Sequence, residues 1–82
     1  MKIANATTHW QIEVKNETDQ VNNTITFEAV DGKIIAYWQA DSVKCNWPNK
    51  FNSVSQAIRE VTNYFLVMAD VGKKDMVITH IP

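Results

Sequence analysis

Eighty-two residues make one domain, and a chain this short buries only about 60–65% of the surface its unfolded form exposes, enough for one sheet-and-helix core. With 45% hydrophobic and 21% charged residues, the composition is that of a folded globular protein and too apolar for a disordered one. Eight Lys/Arg against nine Asp/Glu give a net charge of −1, which argues against gripping nucleic acid chiefly through phosphates and leaves room only for a local basic patch.

No apolar run approaches the ~18–20 residues needed to span a bilayer. The longest, Tyr64 to Ala69, has six. MKIANATTHW has no apolar stretch behind its lysine, so no signal peptide is expected. The sequons at Asn5, Asn16 and Asn22 are then chance products of an Asn- and Thr-rich segment. A lone cysteine forms no internal disulfide and suits a reducing compartment, so the expected location is cytoplasmic.

In chain order, Thr8–Lys15 alternates Trp10, Ile12 and Val14 with His9, Gln11, Glu13 and Lys15, the period of a half-buried strand. Residues 16–23 are polar and read as a loop. Thr24–Val30 alternates again and ends at Asp31-Gly32, a pair that supplies the two positive φ angles of a type I′ hairpin turn. A two-residue turn fixes the register: Ala29 faces Ile34, Phe27 faces Ala36 and Ile25 faces Trp38. These six form the inner face. Thr26, Glu28, Val30, Lys33, Ile35 and Tyr37 form the outer one.

The richest stretch, AYWQADSVKCNWPNKF, spans residues 36–51 and holds two of the three tryptophans and the only cysteine. Trp38 reads as core and Tyr37 as outward. Beyond a bend or bulge at Asp41-Ser42, Val43, Cys45 and Trp47 alternate as a short fourth strand, which Pro48 ends. Ser53 and Gln56 form a capping box for a helix whose inward arc holds Val54, Ala57, Ile58, Val61, Tyr64, Phe65, Met68 and Ala69. Gly72 reads as its C-terminal stop, giving a helix of about nineteen residues. Met76–Ile81 is a last strand, apolar on both faces. The implied fold is α+β: one domain over residues 1–82, an antiparallel sheet in β-β-β-(β)-α-β order with one amphipathic helix on one face.

Chemistry is sparse. Both glycines are assigned to turns, so no phosphate-cradling loop remains. Cys45, His9 and His80 show no metal-ligand spacing, and neither metal nor cofactor is expected. Cys45 reads as a buried or half-buried, unreactive thiol rather than a nucleophile paired with histidine. Glu13 and Glu28 read as cross-strand neighbours by accident of surface charge, and a single helix on a small sheet offers little concavity for an active site. The chain is not expected to be an enzyme.

Two surfaces resist that bland reading. Ile35 and Tyr37, with Val30, make an apolar cluster on the outer sheet face, and Leu66 and Val67 stand on the outer side of the helix. Ile35, Tyr37, Leu66, Val67 and Trp47 are therefore the candidate partner-binding residues. The element order resembles that of small antitoxins and phage-encoded inhibitors, and the Asn/Ile/Lys-leaning composition suits an AT-rich genome. Together these features imply a non-catalytic protein-interaction module, a small regulator or inhibitor that binds and blocks a protein partner, encoded by a phage or mobile element. A homodimer, or a heteromeric complex, that occludes the outer sheet face around Ile35 and Tyr37 or the Leu66/Val67 helix edge is the expected assembly. The alternative is nucleic-acid binding on the outer sheet face, with Tyr37, His9 and Trp47 stacking on bases and Lys15, Lys33, Lys44 and Lys50 contacting phosphates. A polyanion-retention assay separates the two.

Overall fold

The computed structural model of the chain describes residues 7–40 and 43–80. Its elements are β1 (Thr7–Lys15), β2 (Val21–Val30), β3 (Lys33–Ala40), β4 (Val43–Asn46), α1 (Val54–Val67) and β5 (Met76–His80), with one 3-10 turn at Lys73–Asp75. The strands form a single antiparallel sheet in the order β4-β3-β2-β1-β5. β4 and β5 are opposite edges, so the chain between them has to cross the sheet, and α1 is part of that crossing. Four strand spacings of about 4.8 Å span about 19 Å, close to the ~21 Å that a 14-residue helix covers. The result is a small α+β domain.

The hairpin has the register its turn demands. Val30 pairs with Lys33, Ala29 with Ile34, Phe27 with Ala36 and Ile25 with Trp38. Asp31 (φ 51°) and Gly32 (φ 78°) both lie in the left-handed region, as a type I′ turn requires. Ile25, Phe27, Ile34 and Ala36 are buried with Ile12 and Val14 of β1, beneath Ala57, Val61 and Phe65 of α1. The core is completed by Phe51, which the alternation leaves unassigned because it stands alone in a polar stretch. Its N–H donates to the Ile34 carbonyl at 2.9 Å and its carbonyl accepts the Ile34 N–H at 2.8 Å, and its ring joins the buried cluster.

Several boundaries differ from the sequence pattern. β2 begins at Val21, because the loop needs only residues 16–20: Asn16 Oδ1 accepts the N–H groups of Thr18 and Gln20, both at 3.0 Å, and Asp19 takes φ 64°. Ser53 caps α1 by accepting the Gln56 N–H at 3.1 Å, but the Gln56 side chain returns to the N–H of Asn52 rather than that of Ser53. The helix also stops early, at Val67, with Met68 as its cap. Gly72 is not the stop; its φ is −68°, and the left-handed residue is Asp70 at 54°. The Val71 N–H folds back to the Phe65 carbonyl at 2.8 Å. Met68 and Ala69 are therefore exposed instead of joining the core.

β5 pairs Met76 with Val14, Ile78 with Ile12 and His80 with Trp10, placing these side chains on the helix side and Val77 opposite Glu13 on the other. Ile78 remains 45% exposed, since the cover α1 gives the middle of the sheet does not extend to this edge. The expected bend at Asp41-Ser42, the end of the last strand at Ile81, and the N-terminal MKIANA segment lie outside the described residues. Among the described residues, no helix is long and apolar enough to cross a membrane.

Candidate interaction surfaces

The five candidate partner-binding residues fall in three places. Ile35 and Tyr37 are on the outer sheet face, opposite Glu28 and Thr26 respectively. Both are half-buried, as is Val30, so this face is not an open apolar patch. The Tyr37 hydroxyl donates to Glu28 Oε1 at 3.2 Å. Partial burial, and then the Glu28 carboxylate, push the phenol above its ordinary 10.0. Around it Thr24, Thr26, Gln39, Lys44 and Asn46 border a wide, shallow hollow of about 500 Å³. The outer face is mixed, with threonine, glutamate, glutamine and lysine around half-buried Val30 and Ile35 and one tethered ring.

Trp47 is not a free platform. Its ring sits 5.4 Å from Trp38 and 5.1 Å from Tyr64, with Phe65 at 6.4 Å, in an aromatic cluster under the flank of α1. Trp38 Nε1–H is satisfied by Asn23 Oδ1 at 2.8 Å. Much of the aromatic density of residues 36–51 is thus core turning a corner: Trp38, Trp47 and Phe51 pack inward, and Tyr37 alone faces the other side.

Leu66 and Val67 are where an exposed surface does exist. They are 37% and 66% exposed, and Met68 beside them is 71% exposed. Tyr64 and Val67, three apart, share a helix flank, so this free end adjoins the half-buried Trp47–Tyr64 pair. Helical periodicity alone misses Met68, because it counts the residue inward without asking whether any sheet lies beneath it. Val43 (63% exposed) is missed for the same reason: it pairs with Ala40 on the helix side of β4, but that edge is uncovered.

Other expectations need correction. Cys45 is exposed rather than buried, because β4 is the outermost strand and all four of its residues are open. Glu13 lies opposite Thr24, not Glu28, so the two carboxylates are not cross-strand partners. Of the basic residues, Lys33 and Lys44 share the outer face with Tyr37, Lys15 pairs with Asp19 at 3.5 Å, and Lys50 is in the loop before Phe51. The Lys33 ammonium donates to Asn52 Oδ1. His9 belongs to β1, and its side chain lies outside the described residues. His80 is exposed with its ring 4.8 Å from Trp10, edge-on.

A second hollow of about 490 Å³ opens between the β1–β2 loop and the exit of α1, with Glu17, Asp70 and Asp75 among its lining residues. Among the described residues, no group of three or more His, Cys, Asp or Glu side chains is placed to hold a metal ion. Compared with known proteins, the chain matches no family model, no curated protein and no solved structure.

Proposed function

We propose that this chain is a protein-interaction module, a small regulator or inhibitor that works by occupying a partner, and that the free end of α1 is where it docks. The observation that carries the reading is the run Leu66-Val67-Met68, three consecutive apolar side chains between 37% and 71% exposed at the end of the helix. At 100° per residue these three point in three directions, so no rotation of α1 on its own sheet buries them together. A partner that wraps the helix end does. The neighbouring Tyr64–Trp47 pair offers aromatic area of the kind that anchors interfaces.

Nucleic-acid binding remains the second reading, supported by Lys44 and Tyr37 bordering one hollow on the outer face. Against it, Glu28 is tied to Tyr37 and sets a negative charge in that same place.

Affinity capture from an extract of the source cell separates the readings. A protein retained by the wild type and by Tyr37→Ser, but lost with Val67→Lys or Met68→Lys, supports docking at the helix end. Circular dichroism checks that each variant is folded. Salt-sensitive retention on a polyanion column that is abolished by Lys44→Ala, with no protein lost from the helix-end variants, overturns it.

A further inference from the structure

Among the described residues, β4 is hydrogen-bonded to a strand on one side only. The next residue along fixes its bonding phase. The Trp47 N–H donates to the Ala36 carbonyl at 2.8 Å, on the β3 side. Bonded and non-bonded pairs alternate in an antiparallel ladder, so Cys45 and Val43 also turn their main-chain groups toward β3. Lys44 and Asn46 therefore present theirs to the open edge. β4 guards that edge only by its shortness, four residues, and by one lysine: there is no proline, the pairing with β3 runs from Tyr37↔Asn46 to Ala40↔Val43 without a bulge, and every residue is exposed. Lys44 is its single charge.

We propose that this edge pairs with the same edge of a second copy of the chain, antiparallel, about a two-fold axis through Cys45. Faces decide the possible registers. A two-fold axis normal to the sheet keeps side chains on their own face only when it passes through a residue, not between two. Centred on Lys44, the pairing sets two like charges directly opposite, which is destabilising. Centred on Asn46, it sets Lys44 opposite Pro48, which has no N–H to give.

Centred on Cys45, each difficulty disappears. Lys44 and the partner's Asn46 form a bonded pair that exchanges both main-chain hydrogen bonds, and the symmetry repeats it. On the outer face a cation meets an amide. On the helix face, Val43 (63% exposed) meets the partner's Trp47, apolar against apolar. The two Cys45 residues form the non-bonded pair between them, with Cα atoms about 4.5 Å apart, inside the ~4.4–6.8 Å that a disulfide spans. The association rests on the free main-chain groups; the thiol only reports it. The pairing adjoins the docking surface at the end of α1 through Trp47, which packs near Tyr64, but Leu66, Val67 and Met68 take no part in it, and a dimer presents those three twice.

The test is sedimentation velocity on the reduced protein up to a few hundred micromolar, with brief oxidation by copper–phenanthroline in the native state. A reversible dimer is expected, with oxidation converting it to a Cys45–Cys45 disulfide. Lys44→Pro removes one outward N–H without touching a β3 bond, so it should abolish both dimer and cross-link while the melting curve stays cooperative. Val43→Lys, which sets charges against the partner's Trp47, should weaken the dimer independently. A Val21→Cys/Cys45→Ser variant controls for random collision, since Val21 is exposed but lies on another strand. A monomer throughout, with Cys45 cross-linking no faster than that control, overturns the proposal. So does a dimer that Lys44→Pro leaves intact.

Discussion

The chain has two glycines, and they teach different things. Gly32 sits at φ 78° in the β2–β3 turn, where the backbone requires it; Gly72 sits at φ −68° before β5, where any residue would do. Both look like stop signals in the sequence. The difference is in what bounds them. Gly32 has alternating strands on both sides, two residues apart, so a single turn type satisfies both. Gly72 has an apolar helical run on one side only. That run ends where the sheet ceases to cover it, and Asp70 takes the left-handed turn instead.

The sharpest break between the two regions is energetic. Phe27 is buried in the hairpin and packed into the core under α1, so Phe27→Ala should cost about 3–5 kcal/mol, a large part of a small domain's stability. Met68→Ala removes a side chain of similar size from the helix end but should cost no more than about 0.5 kcal/mol. Chemical denaturation of both variants gives the ratio. Equal losses would mean that the end of α1 is packed after all, and the docking surface would vanish with it.

Next in size is the hairpin turn itself. A Cβ at Gly32 meets nothing within 4 Å, so Gly32→Ala is a purely conformational change. The left-handed backbone should make it cost about 1–2 kcal/mol, read as a lowered denaturation midpoint at unchanged slope. A neutral result would show that the turn relaxes out of type I′ without disturbing the register that places Trp38 over the core.

How far the sequence alone reaches follows from these cases. The hairpin register, the Ser53 cap and the inward set Ala57, Val61 and Phe65 were legible because each depends on residues within a few positions of one another. What was not legible depends on which element covers which. Phe51 carries no periodic signal, and its burial follows from a pairing with Ile34 seventeen positions away. Cys45, Val43 and Met68 all carry an inward signal, yet face open space because cover ends short of the β4 edge and of the helix end. Periodicity reports which way a side chain points, and only the assembled fold says whether anything is there. Exposure is distributed accordingly: Leu66, Val67 and Met68 are open, Trp47 is packed against Trp38 and Tyr64, and Ile35 and Tyr37 are half-buried.

The smallest expected effect completes the contrast between the glycines. Gly72 has φ −68° and ψ 146°, an extended geometry that alanine adopts without strain. A Cβ there comes within 3.3 Å of Asp75 Oδ2 and 3.8 Å of Lys74 Cγ, both atoms of side chains near the surface. The carboxylate needs to rotate by only a few tenths of an ångström to make room. Against that minor adjustment, alanine restricts the unfolded chain more than glycine does, which stabilises by about 0.4–1 kcal/mol at a compatible site. Gly72→Ala should therefore raise the denaturation midpoint slightly, where Gly32→Ala lowers it. If Gly72→Ala instead destabilised the fold as much as Gly32→Ala, the chain between α1 and β5 would have to visit a left-handed conformation at Gly72, and α1 would extend past Met68.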